Sequence, residues 1–386
     1  MSIPDISKAI DSAYPEVEAL AKYIYLHPEM GLQEYEARAR ICDILKSHNF
    51  SIKDIPGVPT AFAATYGKGK PNIALLAEYD ALEGLGHACG HHLIAGMSIL
   101  AAIGIALNLK PDKGTITVVG CPAEETIGAK AILVKKGIFK PIDVAMMIHP
   151  ADKTEIVKLS LSLERLSVTF KGIASHTTAN PWHGRNALSG IMALFNAVDA
   201  NRITMPEGTK INGIVKNGGV APNIVPDTAE AEFYLRAKTL KAHNMLIKRF
   251  RNIVHGIAQS YNLTYSINKI GNTYYPLKPN MAFARVFERQ MNRLKIKVDN
   301  VFTDKEPGSS DIGNVSQVIP VIHPALAITN SYCPAHSEAF KIAGNTPQAY
   351  KVMKTGAILL ALTAFELYKH KALLTNIKKD HYIKYS

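Results

Sequence analysis

Three short apolar runs, NIALLA at 72–77, TITVVG at 115–120 and VAMMI at 144–148, alternate with segments of helical period. This alternation constrains the fold more than any other feature of the chain. Continuous apolar runs of this length suit strands buried on both faces, as in a parallel sheet covered by helices. Residues 92–108 are apolar all round, and AKAILVKKG at 129–137 has helical period, so both can serve as crossovers. PTAFAATYG at 59–67 adds a further strand, and VAMMIHP at 144–150 is read as one strand running into His149. The helical pattern of residues 19–48 breaks at Pro28-Glu29, where proline disfavours helix in the residue before it. The expectation is an α/β domain with a mixed sheet and helices on both faces.

Near residue 163 the texture changes. LERLSVTFKG alternates like a half-exposed strand, RNALSGIMALFNAVDAN is amphipathic, and residues 213–238 read as two strands around a turn. A second helix, AHNMLIKRFRNIVHGIAQSYN, and a strand, TYSINKIGNTY, complete the order β-α-β-β-α-β. That order suggests a smaller α+β, ferredoxin-like domain over 163–275, inserted into a larger domain formed by 1–162 and 276–386. A chain of 386 residues is long enough for two cores.

Composition excludes several classes. With 47% hydrophobic and 20% charged residues the chain is an ordinary globular protein. Four scattered cysteines form no disulfide framework, and the N-terminus lacks a basic stretch followed by an apolar one; both fit the cytoplasm. The longest apolar run, Leu93 to Leu107, is interrupted by Gly96, Ser98 and Gly104 and falls short of the ~20 residues that span a bilayer. A buried helix, and no membrane, is expected. The net charge of +12 is mostly dispersed, densest at 368–386, without an RNA-binding aromatic signature or paired CxxC elements. It is read as a solvated basic surface rather than a nucleic-acid site.

Each of the three apolar runs ends in groups that bind metals or move protons. The first leads into Glu78 and Asp80, the second into Cys121-Pro122-Ala123-Glu124-Glu125, and the third into His149-Pro150. In open α/β sheets ligands collect beyond the carboxyl ends of the strands. GHACGHH at 86–92 places His87, Cys89, His91 and His92 between the first strand and the long apolar helix. Thiolate, imidazole and carboxylate are the ligands that zinc accepts, and two ions close together need a supply of this size. Taken singly, His149 before proline reads as structural and Glu124-Glu125 as a solvated pair; the joint arrangement points to a divalent-metal site.

These motifs resemble a family. HACGHH, CPAEE, MIHP and the later PAHSEAF are similar to segments of the M20 metallopeptidases, in the amidohydrolase branch with aminobenzoyl-glutamate hydrolases, N-acyl-amino-acid hydrolases and dipeptidases. LHPEMGLQEYEA, GIASHTTANPWHGRNAL, GGVAPNIVPDTAEAEFYLRA and PGSSDIGNVSQVIPVIHP extend the resemblance along most of the chain. It implies that Cys89, His91, Glu125, His149 and His336 hold two divalent ions, Zn2+ or Mn2+. It implies that Glu124 is the general base, that Asp80 orients a ligand, and that His176 reaches across a homodimer, joined through the inserted lid domain, to steady the oxyanion. Asn223 lies near the polar end of the substrate in this pattern, and Arg236 is a candidate for its carboxylate, with an ordinary ion pair as the other reading. The implied reaction is hydrolysis of an amide in a small peptide or N-acyl amino acid. The alternative is an altered family member that binds metal or regulates, against which the intact Glu124 counts. Position 92 departs from the pattern, carrying His where this branch has Asp or Asn. His87 is left as a local hydrogen-bonding residue, and His323 as a second-tier pocket candidate.

Overall fold

The computed structural model describes residues 3–302 and 307–383; residues 1–2, 303–306 and 384–386 of the expected larger domain lie outside them. In chain order, α1 (Ile3–Leu26) and α2 (Tyr35–Ser47) lead into β1 (Ser51–Asp54), β2 (Phe62–Lys68) and β3 (Asn72–Ala77). Next come α3 (His91–Ala106), β4 (Gly114–Gly120), α4 (Ala129–Lys135), β5 (Val144–Met146), β6 (His149–Ala151) and β7 (Glu155–Val157). Then follow β8 (Glu164–Lys171), α5 (Ala187–Asn201), β9 (Lys210–Asn217), β10 (Thr228–Arg236), α6 (Leu240–Ser260) and β11 (Thr264–Lys269). The chain closes with α7 (Met281–Arg293), β12 (Asn300–Phe302), α8 (Ile312–Ser316), β13 (Val321–Ile322), β14 (Ala325–Ala327), α9 (Glu338–Gly344), α10 (Pro347–Lys369) and α11 (Lys371–Ile383). Two compact units emerge, one of residues 1–159, 278–307 and 314–386, the other of 160–277 and 308–313.

The first unit is built on a mixed sheet in the order β1-β2-β4-β3-β5-β13. β3, β4, β5 and β13 run parallel, while β1 and β2 are antiparallel additions. Parallel alignment sends the carboxyl ends of β3, β4 and β5 to one edge, so the acids beyond β3 and the loop beyond β4 share that edge. VAMMIHP is not one strand. Pairing with β3 ends at Met146 while the 320–324 segment stays alongside: the N–H groups of Ala145, Met147 and His149 donate to the carbonyls of Pro320, Ile322 and Pro324. β6 then pairs with β14 in a second sheet, ordered β12-β7-β14-β6. His149 therefore begins a strand of its own.

Helix α3 is buried along its whole length. Its glycines are contact points: a Cβ on Gly104 would come within 2.7 Å of Ile10 Cγ1 on α1, and one on Gly96 would overlap Met353 Sδ on α10. Close packing on both sides explains an apolar surface with no polar stripe. Among the described residues no helix is long and apolar enough to cross a membrane.

The second unit carries the element order β-α-β-β-α-β on an antiparallel sheet ordered β11-β8-β10-β9. Leu166, Val168 and Phe170 of β8 share a core with Leu194 of α5, Phe233 of β10 and Phe250 of α6. Both helices start on side-chain caps, Asn186 accepting from Ser189 N–H and Thr239 from Ala242 N–H.

Candidate metal centre

The residues proposed to hold metal converge in the first unit. Cys89, His91 and His149 present ligand atoms all within 4.8 Å of one another, and so do Cys89, Glu125 and His336. Cys89 belongs to both groups, and Glu124 joins His91 and Glu125 in a third. The turn before α3 sets the first two side chains. Gly90, at φ +78°, occupies the left-handed region that favours glycine, and its absent side chain makes room for Pro150, whose Cγ a Cβ would meet at 2.5 Å. This close approach brings the β6 segment bearing His149 against the turn bearing Cys89, with Sγ 3.5 Å from His149 Nε2. His336 sits at φ +64°, and its N–H donates to the Ala88 carbonyl at 2.9 Å, which fixes the late segment beside the same turn.

Hydrogen bonds fix both buried imidazoles with one nitrogen facing the site. His91 Nδ1–H donates to Asp80 Oδ1 at 2.8 Å and to the Asp80 carbonyl at 3.0 Å. His149 Nδ1–H donates to the Pro150 carbonyl at 2.6 Å. In each ring Nε2 is the nitrogen turned towards the cluster, the one that a bound cation would take. Asp80 does more than orient His91, because its Oδ2 also accepts the Glu125 N–H at 2.9 Å.

The donor set fits a divalent ion. His91 Nε2 is buried without a hydrogen-bond partner, an unusual position for a polar atom unless something electrophilic completes it. The thiol, three imidazoles and carboxylate of these groups are what a zinc-class cation binds. The field at His91 and His336 is negative. Hydrogen bonding to Cys89, then to Glu125, raises the pKa of His336 to about 10 against the effect of burial. Burial alone would raise that of Glu125, yet the His336 hydrogen bond and the His91 charge hold it at about 2. For His91, burial opposes protonation, but Asp80, Cys89 and Glu78 outweigh it and the pKa is raised. A field that binds protons this firmly also favours a dication.

Glu78 and Lys130 form a feature that the sequence pattern does not reveal. Lys130 is fully buried, with Nζ 2.5 Å from Glu78 Oε1, while Glu78 Oε2 lies 3.4 Å from His91 Nε2. A signal exists, since Glu78 follows β3 and Lys130 lies in the first turn of α4, but a lysine in AKAILVKK reads as a surface residue.

The other histidines of GHACGHH do not join these groups. His92, in the first turn of α3, is buried, and its Nε2–H donates to the Gly344 carbonyl at 2.9 Å. Its ring packs near those of Tyr25, His87 and Tyr350. Burial lowers its pKa to about 4, so it is a neutral structural donor and not a ligand. His87 is buried against His92, with its pKa pushed down by burial and by His92. His323 is buried with its ring 5.8 Å from that of His149, also kept neutral by burial and then by Lys158.

In the second unit, a short antiparallel bridge between His176 and Ile224 sets His176 beside Asn223, whose carbonyl accepts the Thr177 N–H at 3.1 Å. His176 is exposed, and its Nδ1 accepts from Thr178 N–H, Ala179 N–H and the Thr178 hydroxyl. The proton of the neutral ring is thereby placed on Nε2, a donor facing outward. Arg236 is half-buried and donates to Ser309 Oγ; burial, and then Arg165, lowers its pKa. Among the described residues no carboxylate pairs with it.

Comparison with known proteins finds relatives along most of the chain. The model of peptidase family M20/M25/M40 matches residues 74–365. The Xaa-Arg dipeptidase of Mus musculus is 31% identical over 97% of this chain and 90% of its own length. A p-aminobenzoyl-glutamate hydrolase chain of Escherichia coli K12 is 26% identical over 97% of this chain and 94% of its own length. A Bacillus subtilis protein described as a dinuclear metal-binding peptidase of the M20 family shares the fold, with a TM-score of 0.70 and 20% identity over 92% of this chain and 99% of its own.

Proposed function

The chain belongs to peptidase family M20, a family of hydrolases, and on that footing we propose that it cleaves the amide bond of a dipeptide or N-acyl amino acid. One observation carries the proposal: two triads of ligand atoms share Cys89, with Glu124 beside them. Two divalent ions, when bound by Cys89, His91, Glu125, His149 and His336, would polarise the scissile carbonyl and acidify the attacking water. Cys89 favours zinc, whereas the imidazoles and Glu125 also accept manganese.

Glu124 takes the proton from the attacking water and returns it to the leaving nitrogen. Its neighbour Glu125, held at about pKa 2, stays ionised and cannot share that task. His176, with its proton on Nε2, has the tautomer needed to donate to an oxyanion, and we assign it that role from a second copy of the chain. Arg236, with no carboxylate partner among the described residues, would take the terminal carboxylate of the substrate, and Asn223 its polar end. The name of the Mus musculus relative makes Xaa-Arg dipeptides the first substrates to try.

The second unit is read as a ferredoxin-like lid that also forms a homodimer. β9 supports this, because it is the edge strand of its sheet with residues 212–217 exposed, Ile214 and Val215 among them. The free thiols Cys42, Cys89, Cys121 and Cys333 are in keeping with a cytoplasmic protein.

The test is hydrolysis of a panel of dipeptides and N-acyl amino acids by metal-loaded protein, with Glu124→Gln as the comparison. The variant should lose about 10²- to 10⁴-fold in kcat while holding its metal. Full activity in Glu124→Gln would rule out the base assignment.

A further inference from the structure

The motif LHPEMGLQEYEA has no part in the metal centre, yet two of its acids, Glu29 and Glu34, are firmly engaged. Glu29 accepts from the N–H groups of Glu36 and Ala37 at 3.0 and 2.8 Å, and so holds the first turn of α2. Its carbonyl also accepts the Ala81 N–H at 2.9 Å, one residue past Asp80. Glu34 is fully buried. Its Oε1 accepts the Ala123 N–H at 2.8 Å, and its Oε2 accepts the Thr60 hydroxyl at 2.7 Å. The Thr60 carbonyl in turn accepts the hydroxyl of Tyr79, a buried residue between Glu78 and Asp80.

Ala123 is where the chain turns from Cys121-Pro122 towards Glu124 and Glu125, at φ +55°. A non-glycine residue in the left-handed region costs about 1–2 kcal/mol and persists only where its surroundings impose it. The surroundings are visible. Gly31 lies so close that a Cβ there would come within 2.9 Å of Ala123 Cα, and the Ala123 carbonyl accepts the Gly128 N–H. Burying a carboxylate is costlier than burying an apolar side chain, so its presence calls for a task that an apolar residue could not perform. Glu34 reaches the site through the Ala123 amide, one residue before Glu124.

We propose that Glu34 is a positioning residue that pins the Ala123–Glu125 turn through the Ala123 N–H, and so sets the direction of both the base Glu124 and the ligand Glu125. The effect on turnover rests on the hydrolase reading; the effect on the turn and on metal affinity does not.

The experiment compares Glu34→Ala, Glu34→Gln and Thr60→Val in the full chain. It measures Zn2+ and Mn2+ affinity by chelator competition, hydrogen exchange of the peptide over 121–127, and kcat and KM on the best substrate of the panel. Glu34→Ala should weaken metal affinity and lower kcat by about 10- to 100-fold, with KM changed by no more than about threefold. Its 121–127 amides should exchange faster. Glu34→Gln keeps an acceptor for Ala123 and should restore all readouts to within about threefold of wild type, with Thr60→Val in between. Wild-type affinity, exchange and kcat in folded Glu34→Ala would overturn the proposal, as would a Glu34→Gln as impaired as Glu34→Ala. If Glu34→Ala does not fold, an unchanged Thr60→Val overturns it instead. Should wild type cleave nothing in the panel, affinity and exchange still decide this proposal and only the hydrolase reading falls.

Discussion

Replacing Asp80 by Asn probes the most economical device in the site, a single carboxylate that positions two proposed ligands. Oδ1 accepts from His91 Nδ1–H at 2.8 Å and Oδ2 from Glu125 N–H at 2.9 Å. Asn has nearly the same shape but offers one acceptor and one NH2 group, so one of the two donors must face another donor. The variant therefore loses one hydrogen bond to a charged group, about 1.5–3 kcal/mol. At about 1.4 kcal/mol per factor of ten, this is roughly a 10- to 150-fold loss. It should fall on metal affinity, because Asp80 fixes which nitrogen His91 turns towards the site and where the Glu125 backbone lies. Competition with a chelator of known affinity reads the effect directly, and thermal unfolding of the metal-free proteins shows whether the fold is intact. A folded Asp80→Asn that binds Zn2+ and Mn2+ as tightly as wild type would refute the orienting role.

Other consequences follow from the same geometry. His92 has a pKa near 6.5 unfolded and about 4 folded, so its contribution is intact above pH 6.5 and is lost as the pH falls towards 4, by about 3 kcal/mol in full. His92→Asn keeps a donor for the Gly344 carbonyl without that titration, so its urea midpoint should fall less than that of wild type between pH 7 and pH 4; parallel curves would contradict this. Arg236→Ala should raise KM for substrates with a free carboxylate by about 10- to 100-fold, the worth of a hydrogen bond to a charged group, and leave amidated analogues unaffected. Removing metal with a chelator should abolish hydrolysis and lower the melting temperature, since about 2.7 kcal/mol of linkage is lost where the metal stood at a hundred times its Kd. Restored Zn2+ or Mn2+ should reverse both effects.

The parts legible in the sequence are those set by local pattern. Cys89 and His91 lie in one turn, and the residues beyond β3 and β4 share an edge because those strands are parallel. The strand and helix order of the second unit, and of residues 59–137 in the first, could be read from periodicity. What could not be read depends on contacts between distant segments. Glu34 lies within the motif LHPEMGLQEYEA, but nothing local shows that it reaches the Ala123 amide 89 positions away. The odd histidine at 92 is explained by the Gly344 carbonyl, 252 positions away. VAMMIHP reads as one strand because its composition is uniform, whereas the split between β5 and β6 falls where the pairing with β3 ends, at Met146. Lys130 could not be recognised as buried, since its Glu78 partner follows a different strand.

The central claim is that one shared thiol organises a two-ion hydrolytic centre. Elemental analysis of metal bound per chain, in wild type and in Cys89→Ser after dialysis against Zn2+ or Mn2+, tests it most directly. The account predicts two ions per wild-type chain and at most one in Cys89→Ser, because Cys89 belongs to both ligand triads. Less than one ion in wild type, or the same content in both proteins, would contradict it.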